Sequence, residues 1–281
     1  MINILLYRHR KNISSFAKES IPPNFLWENK DHLFFYNGTT AIHYLASNYN
    51  LKRNDEVCIF TSSNKNYVTT CVSATFFNYC KISRVVTNNT KMLYVIHEFG
   101  LVHPQIVKIV KLGRKLGIPV IEDCAHTVLS SINNKLVGTL GDYALYSLSK
   151  QLPIEKGGLL VGENLKRDKT FYDNNTAKFV EKQYYAFLPY LKCLSEKRKE
   201  SFHTIRNSFK DLTVAFECDD TWAPYFVIFK HERYKELYQT LEGKIAEWGK
   251  TYVKNWFCVP TQPLMTADER KLLIDFLKTK L

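Results

Sequence analysis

Glycine and proline are scarce, 11 and 9 among 281 residues, which excludes collagen-like and low-complexity chains. No apolar run approaches the length that spans a bilayer. The opening segment MINILLYRHRKNISS carries its basic residues after a short apolar stretch rather than before it, unlike a secretory signal. The seven cysteines (58, 71, 80, 124, 193, 218 and 258) are odd in number and form no CxxC pair. Clustered Cys and His are lacking too, so no zinc site is expected. The expectation is a cytoplasmic protein with no membrane segment and with reduced, mostly buried thiols.

The composition that remains is that of a globular protein, 45% hydrophobic and 23% charged, long enough for one large domain or two modest ones. Basic residues outnumber acidic ones by 39 to 27, a net charge of +12. That balance fits nucleic acid, an acidic membrane surface or a phosphorylated small substrate. Part of the excess lies in KCLSEKRKES (192–201) and NLKRDKT (164–170), where acids at helix-face spacing make a solvated helix the better reading. No nucleic-acid partner is expected.

Apolar periodicity orders the elements. TTAIHYLASNYN (39–50) reads as a helix with a Thr cap, NDEVCIF (54–60) as a turn and buried strand, and YVTTCVSATFFNYC (67–80) as a helix. KMLYVIH (91–97) is a strand; a helix with Ile106, Ile109, Val110, Leu112 and Leu116 on one face follows and stops at Gly117. IPVIED (118–123) is the next strand, with two further candidates at 143–148 and 157–162. This alternation predicts an α/β chain with a mostly parallel sheet. Residues 175–208 read as long charged helix, followed by a strand at 223–229, an amphipathic helix and a closing helix. Thr266 and Glu269 form a capping box for that last helix, with Leu272, Leu273 and Phe276 as its apolar stripe. The expected division is a large domain over 1–175 and a long helix with a small α+β domain over 176–281.

Ligands of parallel sheets gather at the carboxyl ends of strands. Asp123 ends one predicted strand, Lys150 follows another, and Gly38 and Thr39 open a helix whose free amides can hold a phosphate. An acid, a lysine and an anion-binding helix start are what pyridoxal phosphate requires: a ring-nitrogen partner, a Schiff-base amine and a phosphate cradle. Each feature alone is also ordinary, as a turn acid, a solvated lysine and helix punctuation.

The strings NGTTAIHYLA, NDEVCIF, VIHEFG, GIPVIEDCAH, KLVGTLGDYALYSLSKQLP and the glycine pair 157–158 occur in the order of their counterparts in the DegT/DnrJ/EryC1/StrS family. The chain resembles that family from about residue 34 to 162, most specifically over 118–158, and more weakly from APYFVIF onward. The resemblance implies the aspartate aminotransferase-like fold, pyridoxal 5'-phosphate as cofactor, and transfer of an amino group, usually from glutamate, to a nucleotide-linked keto-sugar by a homodimer. It implies that Lys150 binds the cofactor and moves the proton, that Asp123 pairs with the ring nitrogen, and that His126 touches the ring. Ser147 would bond the phosphate beside the amides of Gly38, Thr39 and Thr40. Tyr67 would either stack on the ring or serve as a core aromatic, and His97 would either sit near the pocket or, as the better reading, be a buried, hydrogen-bonded histidine.

Three departures accompany the resemblance. The segment between NYCKISRVV and NNTKMLYVIH is compressed. Only two residues separate Ser147 from Lys150, so Ser149 is an alternative phosphate ligand. Lys156 stands where an acid usually precedes the paired glycines, and the family's Asn-aromatic-Arg motif is missing, with Asn174 and Asn175 as positional candidates only. Relatives that dehydrate sugars carry histidine for the lysine, which Lys150 argues against. The alternative reading is a degenerate homologue serving as a binding or regulatory subunit.

Overall fold

A computed structural model describes residues 2–3, 6–65, 68–167, 170–241, 245–246 and 253–281. Seven strands make one sheet: β1 (Asp31–Phe35), β2 (Glu56–Thr61), β3 (Lys81–Ser83), β4 (Thr90–Ile96), β5 (Val120–Asp123), β6 (Tyr143–Ser147) and β7 (Gly158–Gly162). Their spatial order is β1-β7-β6-β5-β4-β2-β3. The pairings from β3 across to β6 are parallel, whereas β7 runs antiparallel to both β6 and β1. The sheet is therefore mostly parallel, and its parallel strands all end at one edge.

Both faces of the sheet are covered, which is why β4 is an apolar run rather than an alternation. Met92, Tyr94 and Ile96 face helices α1 (Gly38–Asn48) and α2 (Thr70–Phe77), with Leu45 and Phe76 in the same core. Leu93 and Val95 point the other way, into a core shared with Ile106, Ile109 and Val110 of α3 (Ile106–Leu116). Gly117 ends α3 in the left-handed conformation at φ 66°, the expected stop. A four-residue helix, α4 (Leu148–Gln151), follows β6.

The charged stretch after β7 is two helices, α5 (Asn174–Phe187) and α6 (Leu191–Ser208), separated by a 3-10 turn at Leu188–Tyr190. Pro189 explains the break, because it cannot donate to the preceding turn. Ala177, Val180 and Tyr184 of α5 join the core on the α3 face, as do Leu191 and Leu194. Phe202 and Ile205, later in α6, belong to a separate core with β8 (Phe226–Lys230), β9 (Trp256–Pro260) and α8 (Ala267–Lys278). Between β8 and β9 lies α7 (Tyr234–Leu241). The expected division lies at 175/176; because α5 and the start of α6 share the large core, we propose instead that the two units divide within α6.

Three sequence expectations change. The cap of α1 is Asn37, whose side chain accepts from the Thr40 amide, because its extended backbone places Oδ1 over the first turn. Strand β1 precedes the first element that the sequence predicts, and its antiparallel pairing with β7 carries Leu33 and Phe35 into the core. The stripe of α8 is Leu273, Ile274 and Leu277, with Leu272 facing solvent; the Thr266–Glu269 capping box forms in both directions. Among the described residues no helix is long and apolar enough to cross a membrane.

Candidate active site

The parallel topology brings together what the chain keeps far apart. β1 runs out into Asn37 and Gly38, β4 into His97, Glu98 and Phe99, β5 ends on Asp123, and β6 ends on Ser147 just ahead of Lys150. All of these residues line one cavity of about 280 Å³, together with Thr39, His126 and Cys71. Thr40 stands one step back, its amide and hydroxyl both bonded to Asn37 Oδ1 at 2.9 and 3.1 Å. Ser147 lines the cavity and Ser149 does not. Asn174 and Asn175 are exposed at the start of α5, where Asp173 caps the helix. Tyr67 lies outside the described residues.

Asp123 is buried at the strand end. Its Oδ1 accepts from the Ala125 amide at 3.0 Å and its Oδ2 from the Tyr94 hydroxyl at 2.8 Å. Burial pushes its carboxyl above the usual range, while these two donors, Lys150 and His97 pull it back. Lys150 is pushed below the usual lysine range by burial, against the opposing pull of Cys71 and Asp123. Its Nζ lies 3.0 Å from His126 Nε2. The Phe99 amide donates to His126 Nδ1 at 3.2 Å, so a neutral imidazole carries its proton on Nε2 and presents it to the lysine amine. Burial first, then Lys150 and Arg198, keep His126 well below the ordinary histidine range and hence neutral. An amine that accepts this hydrogen bond has a free lone pair, the form that attacks a carbonyl.

A match to the DegT/DnrJ/EryC1/StrS aminotransferase family spans residues 24–186, more than half of the sequence. The chain belongs to this family. GDP-perosamine synthase of Escherichia coli O157:H7 is 29% identical over 153 residues, 49% of this chain and 40% of that protein. UDP-N-acetyl-3-dehydro-alpha-D-glucosamine 3-aminotransferase of Acidithiobacillus ferrooxidans is 36% identical over 83 residues, covering 28% and 22% of the two chains. The chain thus spans less than half the length of the curated relatives it matches. Among solved structures, the aminotransferase TlmJ from Streptoalloteichus hindustanus superimposes with a TM-score of 0.72 at 14% identity, covering 99% of this chain and 98% of that one. The PLP-form of a sugar aminotransferase, Spr1654, from Streptococcus pneumoniae gives 0.69 at 12% identity, covering 98% and 95%. At such identities the superpositions show a common fold.

As a DegT/DnrJ/EryC1/StrS member, the chain offers residues that fit pyridoxal phosphate on their own chemistry. The cavity holds a nucleophilic amine, a buried carboxylate for a protonated ring nitrogen, and a hydroxyl beside a helix start for a phosphate. The absence of a side chain at Gly158 lets β7 approach the start of α1 closely. A Cβ on Gly158 would lie 2.4 Å from the Asn37 carbonyl oxygen and 2.8 Å from the Gly38 nitrogen. Gly158→Ala should therefore pry β7 from the start of α1, lowering stability by about 1–3 kcal/mol in denaturant unfolding. Binding of pyridoxamine phosphate, which calorimetry reads without any covalent step, should weaken in parallel; native values for both would show that the helix start tolerates displacement.

Several supporting residues carried no clear sequence signal. Glu122, fully buried, accepts from the amides of Leu140 and Gly141 at 2.8 and 2.7 Å and of Gly138 at 3.0 Å. Burial pushes its carboxyl up, yet His97 and the backbone donors outweigh this and hold it below the usual range. His97 lies 3.3 Å from it through Nε2 while Nδ1 accepts from the His103 amide, so His97 ties β4 to the loop that Glu122 gathers. The two acids closing IPVIED are the one hint of this, because alternate strand positions face opposite sides. Tyr94, Tyr225 and Arg198 reach the site from an apolar run, a strand start and a charged helix.

Proposed function

We propose that this chain is a pyridoxal-phosphate-dependent transaminase that moves an amino group from an amino-acid donor, glutamate in this reading, to a nucleotide-linked keto-sugar. The observation that carries the reading is the Lys150 amine sharing one cavity with the buried Asp123 carboxylate. Bound there, pyridoxal phosphate supplies an electron sink for the carbon that gains or loses the amino group. Asp123 would keep the ring nitrogen protonated. Ser147 with the Gly38 and Thr39 amides would hold the phosphate, and Lys150 would take a proton from the substrate carbon and return it. His126 would orient the lysine amine through its Nε2–H. The net positive charge suits a diphosphate-linked substrate. Relatives whose names specify GDP- and UDP-linked sugars support the same substrate class. We further propose a cytoplasmic homodimer.

The test begins with the visible spectrum of the chain purified with pyridoxal phosphate, followed by borohydride reduction and peptide mass spectrometry. A yellow protein tagged at Lys150, bleached by glutamate and recoloured by a nucleotide-linked keto-sugar, is the expected result. A colourless protein without an adduct would replace the transaminase by a binding or regulatory homologue. Size-exclusion chromatography showing only monomer, with and without cofactor, would remove the homodimer.

A further inference from the structure

We propose that Arg198 is a positioning residue for the Lys150 amine, acting from α6 through the Lys150 backbone and the Tyr225–His126 stack. The inference deepens the proposed function, resting on its assignment of Lys150 as the cofactor-binding amine.

Arg198 is buried, 4% exposed, in a helix whose other charges lie largely on a solvated face. Its guanidinium donates to the Lys150 carbonyl oxygen at 3.1 Å. It also lies over the Tyr225 ring, 4.6 Å from the centroid. The Tyr225 ring stacks in turn on His126, with centroids 4.9 Å apart and an interplanar angle of 21°. The other side of the circuit is the 3.0 Å contact between His126 Nε2 and Lys150 Nζ. One guanidinium thus holds the lysine at its backbone and, through two stacked rings, at its side-chain tip.

The seat for Tyr225 is built into the end of β4. The Tyr225 amide donates to the Phe99 carbonyl at 2.7 Å, and Phe99 adopts φ 60°, a left-handed conformation unusual for a non-glycine residue. Gly100 follows at φ 86°, where a Cβ would fall 2.5 Å from the Tyr225 nitrogen. The strained turn therefore lets the 223–225 segment approach closely enough to lay Tyr225 on His126. The same turn aims the Phe99 amide at His126 Nδ1.

A buried guanidinium held by a carbonyl and a ring is an expensive arrangement for packing alone. Its chemical consequence is to disfavour a positive charge on His126, the ring it reaches through Tyr225. After burial, Lys150 and Arg198 are the neighbours that push His126 toward neutrality. Lys150 is faced by Asp123 from β5, Cys71 from α2 and His126 from the loop after β5. The planar fork of arginine suits the dual contact, whereas a lysine at 198 would keep the charge but lose the flat stacking surface. The short connection from Ser147 gives this anchor its purpose. With only two residues between them, the chain has little freedom of its own to aim the amine.

The test measures the lysine directly, in the full chain without cofactor. Competitive acetylation across a pH series, read by peptide mass spectrometry against exposed Lys115, gives the reactivity and titration midpoint of Lys150. Arg198→Met should raise the midpoint by about half a pH unit or more, roughly a threefold loss of free amine at a given pH. Tyr225→Leu should act in the same direction. The double variant should shift no further than the larger single one, since both act through one route. Arg198→Lys should restore part of the effect. An unchanged midpoint in Arg198→Met, or additive shifts in the double variant, would overturn the proposal. Should Arg198→Met fail to fold, as circular dichroism would reveal, Arg198→Gln and Tyr225→Leu answer the same question. A native chain with the Arg198-dependent shift but no borohydride-stable adduct would sink the transaminase reading while leaving this positioning role standing.

Discussion

Lys150→Ala should fold as the native chain does, form no borohydride-stable adduct with pyridoxal phosphate, and lose at least about a thousandfold in amino transfer. The structure separates the two halves of this expectation. The side-chain nitrogen touches His126 in the cavity, whereas the contact that ties this segment to α6 runs through the Lys150 carbonyl, which alanine keeps. Removing an amine that burial already disfavours in its charged form relieves a cost instead of breaking a core contact. Thermal unfolding should therefore move little. Lys150→Arg makes the complementary point, because a guanidinium stays protonated and cannot attack a carbonyl. Retained turnover or a retained borohydride tag in Lys150→Ala would locate the chemistry elsewhere. A loss of folding would mean that Lys150 supports the structure through its side chain.

Much of the large sheet is legible in the sequence because its strands are short apolar runs and its helices begin and end on local signals, Gly117 being the clearest. The resemblance supplied what periodicity could not, namely the common cavity for Asp123, Lys150, Ser147 and Gly38. Failures have local causes. β1 was hidden because its buried face contributes only a few apolar residues within a polar stretch, and its partner β7 arrives more than a hundred residues later. The α5–α6 break rests on one proline inside otherwise helical sequence. Arg198 was unreadable for a different reason. In KCLSEKRKES it is one cation among several, and only its hydrogen bond from α6 to the Lys150 carbonyl in α4 singles it out. Glu122 was similarly masked by its neighbour, since a strand ending in two acids does not say which faces the ligand and which gathers a loop.

That distinction shapes the expected behaviour of Asp123→Asn. The carboxylate sits in an environment that raises its pKa above the ordinary 3.8 through burial. For an acid, such a shift means that the folded chain bears the cost of the charge once the pH exceeds the unfolded value. At neutral pH the asparagine variant sheds this cost, so its cofactor-free form should be as stable as the native chain or more so. Asparagine can still accept from the Ala125 amide through its carbonyl oxygen, and the Tyr94 hydroxyl can rotate to accept from the new amide. What asparagine lacks is the negative charge that would hold a proton on a ring nitrogen. Losing a charge-assisted hydrogen bond of about 1.5–3 kcal/mol should weaken pyridoxamine phosphate binding by roughly ten- to a hundredfold. Both half-reactions should slow, whichever substrate is used, because the electron sink serves the amino donor and the keto-sugar alike. Glu122→Gln should behave oppositely. Burial alone would favour its neutral form, but three backbone amides and His97 hold it charged below the usual range, so its loss should destabilise the chain at neutral pH. Calorimetric binding and thermal unfolding measured side by side on the two variants separate the roles. If Asp123→Asn binds the cofactor normally but melts early, the acid at the end of β5 is a structural group and the electron-sink assignment fails.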